Sequence, residues 1–294
     1  FDANMSVINE FTECMFLPGF WSEYGMCAEP SAFGAKGRFP EDEFPHAFPC
    51  IHSTEDIDRL EKPRAGTDGL NPFILNRLKL NQHRIESEGH KIRFSVSRGP
   101  LNIASYLMGS TEILMALISD PERIHKLLRI ITDYLKEWHT IQMEAFSTID
   151  GMLLLDDIVG FIGEEHFKEF ALPYFKELYD RQVSVKFFHN DAPCEVSAPY
   201  LPEMGVNFFN MGFDINLNEL KKLTGNQVAL LGNIPPRDVL ANGSPEDVTQ
   251  SVTSLIKSLD DHTRIILSCG GGMPPAVTSE NLCAFIETVK KFRE

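Results

Sequence analysis

His189-Asn190-Asp191 is the stretch of this chain with the most chemistry in it. It closes the apolar run Val185-Lys186-Phe187-Phe188, and in an extended segment alternation puts His189 and Asp191 on one side. An imidazole and a carboxylate so placed suit one shared metal ion, or a general base with the group that orients it. The plainer alternative is a satisfied histidine beside a capping aspartate. Cys269 follows Leu267-Ser268 and opens the run Gly270-Gly271-Gly272. Glycines let backbone approach a ligand closely, and a thiol there would give zinc a third, soft ligand beside His189 and Asp191. Alternatively the glycines make a tight turn and the thiol is packed.

Other polar residues stand at the ends of apolar runs in the same way. Arg98 follows Ile92–Val96, and Asp156-Asp157 follow Met152–Leu155. Asn210 follows Val206–Phe209, and Asn233 follows Val228–Leu231. Asparagine and aspartate are common turn formers, so each alone reads as a turn or a cap. Their recurrence at consecutive run ends from residue 156 onward favours a shared site. Asp156 and Asp157 point to opposite faces, one toward a cavity and the other toward a neighbouring loop. Arg98 would anchor an acidic substrate group or pair with one of those carboxylates.

The elements that must position these residues are legible. The runs at 92–96, 152–155, 185–188, 206–209, 228–231 and 265–267 are short and mostly continuously apolar, as strands buried on both faces should be. Between them lie amphipathic helices with good start signals. Asp120-Pro121-Glu122 precedes Ile124, Leu127, Leu128, Ile131, Leu135 and Trp138, and Ser244-Pro245-Glu246-Asp247 precedes Val248, Val252, Leu255, Ile256 and Leu259. Thr278-Ser279-Glu280 opens the last helix. Alternating β and α units call for parallel strands with right-handed crossovers. No phosphate-binding glycine fingerprint follows any of the runs, which disfavours a nucleotide-binding open sheet. The expectation is a distorted (β/α)8 TIM barrel as one domain over 1–294, irregular over 1–90 and regular over 91–294. Chemistry belongs at the C-terminal strand ends of such a barrel. Six strands are placed, and at least one more is expected in the irregular N-terminal part or in missing residues before it. The start, FDANMSVINE, has neither an initiator Met nor a basic leader and reads as truncated.

Composition sets further bounds. A chain of 294 residues suits one large barrel. Its formal net charge of −15 opposes binding to a phosphate backbone, so no nucleic-acid partner is expected. No apolar run approaches the roughly 18–20 residues that span a bilayer, so no membrane segment is expected. The six cysteines lack any CxxC pair and read as reduced, mostly buried thiols of a cytoplasmic protein.

The chain resembles the uroporphyrinogen decarboxylase superfamily. The resemblance rests on the Gly99–Gly109 segment GPLNIASYLMG with the following Asp-Pro-Glu helix start, on Asp156-Asp157, on the 167–174 segment FKEFALPY and on His189. It continues in Gly232-Asn233-Ile234-Pro235-Pro236, Pro274-Pro275 and Ser279-Glu280-Asn281. The resemblance implies a distorted TIM barrel and one of two activities. In the decarboxylases an N-terminal aspartate binds the pyrrole nitrogens, and Asp2 stands where it would fall; Tyr106 matches the family tyrosine. The arginine-rich segment of those enzymes is absent, and their glycine-loop histidine appears here as Gly271. In the corrinoid-linked methyltransferases a His-x-Cys pair and a distant Cys hold zinc. His189 matches the histidine, Asp191 stands at the first cysteine, and Cys269 lies two residues before the second.

The leading expectation is therefore a zinc-dependent methyltransferase moving a methyl group between a small substrate and a thiol or a corrinoid protein partner. Zinc would sit on His189, Asp191 and Cys269. His189, Asp157 and Tyr106 would be catalytic, and Asp2, Arg98, Asp156, Asn210 and Asn233 would bind substrate. The alternatives are a metal-free decarboxylase of uroporphyrinogen or a related porphyrinogen, and a non-catalytic ligand-binding barrel. A homodimer is a further expectation.

Overall fold

A computed structural model describes residues 1–21 and 24–292. The single domain expected over 1–294 divides by packing into two compact units, Phe1–Ile158 with Ile162–Lys186, and Val159–Phe161 with Phe187–Glu294.

The first unit begins with α1 (Asp2–Glu10), α2 (Ala28–Ala32) and a two-stranded antiparallel pair, β1 (Gly37–Arg38) and β2 (His46–Ala47). Then come α3 (Asn71–Ser87), β3 (Phe94–Arg98), α4 (Pro100–Met108), α5 (Ser110–Ser119), α6 (Pro121–Ala145), β4 (Gly151–Leu155), α7 (Glu164–Phe170) and α8 (Leu172–Tyr179). β3 and β4 pair in parallel, from Phe94 opposite Gly151 to Arg98 opposite Leu155. Helix α6 starts at the expected proline, and Ile124, Leu127, Leu128, Ile131, Leu135 and Trp138 are all buried.

Its inner face also carries two polar residues that serve β3. His139 lies between the Ser95 and Ser97 hydroxyls, 2.9 Å from each. Burial, with the Arg181 charge adding, pushes the His139 pKa down to about 3, so the ring is neutral. Gln142 accepts from the Val96 N–H at 2.9 Å and donates to the Val96 carbonyl at 3.1 Å. A side chain thus supplies hydrogen bonds that a further strand would otherwise supply.

The second unit takes in β5 (Val185–Asn190) from Phe187 onward. It continues with α9 (Leu201–Met204), β6 (Phe208–Met211), α10 (Leu217–Leu223), β7 (Ala229–Leu231), α11 (Pro245–Ser258), β8 (Ile265–Ile266) and α12 (Ser279–Lys291). β5 pairs with β6, β6 with β7 and β7 with β8, all in parallel. The Ser244 hydroxyl and the Asp247 carboxylate form a capping box at the start of α11. Thr278 accepts from Asn281 N–H at the start of α12. Val248, Val252 and Ile256 of α11 close over Ile234, Leu240 and Cys269, with Phe285 and Val289 of α12 against them.

The fold is α/β on parallel strands, as expected, with six such strands among the described residues. Two details differ. Before Phe94 the described residues form only the short antiparallel pair β1–β2, so the further barrel strand expected in the N-terminal part is not found among them. β6 runs Phe208–Met211 where the apolar pattern indicates 206–209, because His189 lies opposite Asn210 and Asn190 opposite Met211. The ladder continues through the polar residues instead of stopping before them.

Gln142→Leu removes both bonds to Val96 and leaves a buried N–H and C=O unpaired. A loss of roughly 2–4 kcal/mol in unfolding free energy by urea denaturation is expected. A loss below about 1 kcal/mol would show that water or backbone relaxation replaces the amide.

Candidate functional site

In the second unit, register brings the site together. His189 and Asn210 are direct neighbours across β5 and β6, and His189 Nδ1 lies 2.8 Å from Asn210 Oδ1. The Asn210 amide has one way round: its Nδ2 donates to the Leu231 carbonyl at 2.6 Å and the Cys269 carbonyl at 3.4 Å. Its oxygen therefore faces the imidazole, and His189 Nδ1 carries the proton. The other ring nitrogen, Nε2, lies 3.4 Å from Asp191 Oδ1. Burial pushes the Asp191 carboxyl up, but the hydrogen bond and charge of His189 and the Gly272 N–H outweigh it and hold it below the usual carboxylate range.

The glycine run has a specific packing purpose. Gly271 has φ +82°, and a Cβ there would overlap the Asp191 carboxylate. A Cβ at Gly270 would come within 2.8 Å of the Phe213 backbone. The loop closes on Asp191 from one side and on Phe213 from the other, which side chains would prevent.

Cys269 is placed differently from expectation. It bridges Ile234 in parallel register, and its side chain belongs to the apolar cluster beneath α11 and α12. Its Sγ donates to the Gly271 carbonyl at 3.2 Å, and burial pushes the thiol pKa up, against thiolate formation. Among the described residues, no three His, Cys, Asp or Glu side chains stand where they could hold one metal ion. His189 and Asp191 lie together, while the Cys269 thiol packs into the apolar cluster and its carbonyl accepts from Asn210. The expected three-ligand zinc set is not assembled.

Asn233 was expected to bind substrate, and here it holds a loop instead. Its Nδ2 donates to Ile215 O at 2.7 Å and to Gly212 O and Phe213 O at 3.4 Å, pinning the segment after β6. Asn210, also expected at the substrate, orients His189.

The first unit gathers a separate group of polar residues. Half-buried Tyr106 on α4 has its phenol pushed far up by burial; the Arg98 charge opposes this, while Asp157, Asp156 and Glu29 add to it. Glu29, which no sequence signal singles out, is buried and accepts from the Arg98 N–H at 2.9 Å. Asp156 is fully buried, and its Oδ2 accepts from Leu101 N–H at 2.9 Å and Asn102 N–H at 3.1 Å. Asn102 reciprocates, its Oδ1 accepting from the N–H groups of Asp157 at 3.0 Å and Ile158 at 3.2 Å. Asp156 thus fastens the start of α4 to the end of β4, which corrects the expectation that it faces substrate. Burial pushes its carboxyl up to about 8 against the pull of the backbone N–H groups, and Asp157 adds to the rise. Asp2 was placed at the pyrrole-binding aspartate of a first strand. It lies instead in the first turn of α1, exposed, and pairs with Arg84 at 2.7 Å.

The family model for uroporphyrinogen decarboxylase (URO-D) matches residues 21–292, nearly the whole chain. The chain belongs to the uroporphyrinogen decarboxylase family. Among its relatives is the uroporphyrinogen decarboxylase of Pseudoalteromonas translucida (strain TAC 125), 24% identical over 277 residues, covering 90% of this chain and 75% of that protein. The corresponding enzyme of Chlorobium phaeovibrioides (strain DSM 265 / 1930) is 27% identical over 256 residues, covering 83% of this chain and 71% of that protein. Among solved structures, a methyltransferase from Methanosarcina mazei superposes with TM-score 0.81 at 16% identity, covering 99% of this chain and 84% of that one. At that identity the likeness speaks for the fold alone. Among the described residues of this uroporphyrinogen decarboxylase family member, no single helix is long and apolar enough to cross a membrane.

The buried Asp156 carboxyl makes stability depend on pH. Because its folded pKa is raised, it contributes stability that is fully present below about pH 4 and is lost as pH rises through about 8. Asp156→Asn keeps the shape without the proton, so its melting temperature should fall less than the wild type's between pH 5 and pH 9. Parallel curves for the two proteins would show that Asp156 is not the group responsible.

Proposed function

We propose that this chain is a metal-independent decarboxylase of a carboxylated, electron-rich ring of the porphyrinogen class, with His189 as its proton donor. The observation that carries the reading is the commitment of both His189 ring nitrogens. Nδ1 donates to an amide oxygen that cannot turn, and Nε2 faces a carboxylate held in its ionised form. That arrangement favours a proton on each nitrogen and makes the ring a general acid. The names of the curated relatives support the same activity.

In the reaction, a proton placed on a carbon of the electron-rich ring makes the ring an electron sink; the ring–CH2–COO⁻ group then loses CO2, and the pair of the broken C–C bond forms an exocyclic C=C bond to the ring. A proton added to that methylene carbon gives the methyl group as the ring carbon gives up its first proton, so one proton is consumed overall. His189 supplies it from Nε2 and regains one from water, while Asp191 and Asn210 orient the imidazole. Arg98 stays the proposed binder of a substrate carboxylate, and Tyr106 and Asp157 stay proposed site residues. Retention of CO2-releasing activity after chelator treatment is expected. His189→Gln should lower kcat/KM for uroporphyrinogen at least a hundredfold, read as loss of less carboxylated products by chromatography. A His189→Gln variant within fivefold of the wild type would remove the histidine from the chemistry. Arg98→Lys should weaken substrate binding about tenfold, because the guanidinium fork is lost; an unchanged KM would assign Arg98 to a structural role.

A second reading is favoured by one feature: His189 and Asp191 are a nitrogen and an oxygen donor side by side. It is a methyltransferase working with a corrinoid protein, zinc held by those two and a third ligand that Cys269 would supply only after leaving the apolar cluster. Bound zinc would polarise a methyl-bearing heteroatom or acidify a thiol. Elemental analysis of protein prepared without chelator separates the readings. Less than about a tenth of an equivalent of zinc speaks against the methyltransferase, and near-stoichiometric zinc against the decarboxylase.

A further inference from the structure

Asn190 ends β5 between the two groups of the polar pair, and it is fully buried. Alternation turns its side chain to the opposite side of the strand from His189. The amide is spent on the chain that follows. Asn190 Oδ1 accepts from the Ala192 N–H at 2.8 Å, and Nδ2 donates to the Pro193 carbonyl at 3.4 Å. It thus closes a side-chain turn around residue 191. The same segment is gripped from outside. A Cβ at Gly212 would come within 2.6 Å of the Asp191 carbonyl oxygen, and one at Gly160 within 2.6 Å of Ala192 Cβ and Pro193 O.

The Asp191 side chain needs such a hold. It is 48% exposed, and its carboxylate lies 3.4 Å from His189 Nε2. A contact that open to water is too weak to keep a carboxylate in one place by itself. Yet the carboxylate is placed: the Gly272 N–H donates to it, and Gly271 packs so closely that a Cβ would overlap it. The direction in which the main chain leaves β5 decides where that side chain can reach, and the Asn190 amide sets that direction.

We propose that Asn190 is a positioning residue, which holds the Asp191 carboxylate against His189 Nε2 and the glycine loop by fixing the backbone of residues 191–193. Its effect on the imidazole is indirect, through Asp191. The inference rests on the decarboxylase reading only for the reaction that the placed carboxylate serves.

The test reads proton–nitrogen correlation spectra of the full chain carrying isotope-labelled glycine. Gly272 reports on the Asp191 carboxylate because its N–H donates to it. Its signal is identified by its disappearance in Gly272→Ala, where a Cβ meets nothing within 4 Å. Asp191→Ala sets the shift that marks loss of the carboxylate. Asn190→Leu, which keeps the bulk and removes both bonds, should move the Gly272 signal the same way by at least half as much. Asn190→Asp, which keeps an acceptor for the Ala192 N–H, should move it by less than a quarter as much. Added to Asp191→Ala, Asn190→Leu should move it no further. Glycine signals remote from the segment stay in place in a folded variant. Where Asn190→Leu fails that check, Asn190→Ala replaces it, and Asn190→Ser replaces Asn190→Asp. In turnover of uroporphyrinogen, Asn190→Leu should lower kcat at least tenfold with KM within twofold, and cost less than twofold more once Asp191 is alanine. A Gly272 signal unmoved by Asn190→Leu, one moved further in the double variant, or an unchanged kcat would overturn the proposal. A Gly272 signal moved as expected in a protein that releases no CO2 would sustain the positioning role and reject the decarboxylase. CO2 release with an unmoved Gly272 signal would do the reverse.

Discussion

The Asn210 amide is held by two main-chain carbonyls, one from β7 and one from the residue that bridges Ile234, and it turns its oxygen toward the neighbouring strand. The proton position on His189 follows from that orientation. An amide in a strand interior would ordinarily be a cost, because four hydrogen-bonding positions must be satisfied away from water. Here parallel strands of unequal reach leave carbonyls at their ends, and a single asparagine gathers them. Asn233 repeats the solution one strand over, gathering three loop carbonyls. The second unit therefore turns unpaired strand-end backbone into fixed side-chain geometry.

The same reasoning links two residues that look unrelated in sequence. The sequence resemblance sets Gly271 against a histidine of the decarboxylases, and a side chain there would collide with the Asp191 carboxylate. Asp191 and Gly271 are one structural choice, the carboxylate filling space that a loop side chain would need. The imidazole and the carboxylate then come from residues two apart on one chain segment.

Much of the fold is legible in the sequence because it rests on local rules. The apolar faces of α6 and α11, the Ser244–Asp247 capping box and the Thr278 cap depend on residues within a few positions of each other. His189 and Asp191 share a side for the same local reason. What stays hidden is direction set by distant partners. Cys269 faces an apolar helix layer because its backbone is in register with Ile234. Asp156 turns toward the α4 N-terminus because Leu101 and Asn102, more than fifty residues earlier in the chain, present N–H groups there. Glu29 carries no periodic or motif signal, and only the folded chain brings it to the main chain of β3.

The bonds that Gln142 and Glu29 make to β3 have a consequence beyond local stability. Among the described strands β3 has only β4 beside it, so its other side would be a row of unpaired N–H and C=O groups. Such a row is a template on which a second molecule can add a strand and begin an aggregate. With Val96 satisfied by Gln142 in both directions and the Arg98 N–H satisfied by Glu29, that template is closed by side chains of the same molecule. Gln142 and Glu29 thus occupy main-chain groups of β3 with which an added strand would have to pair.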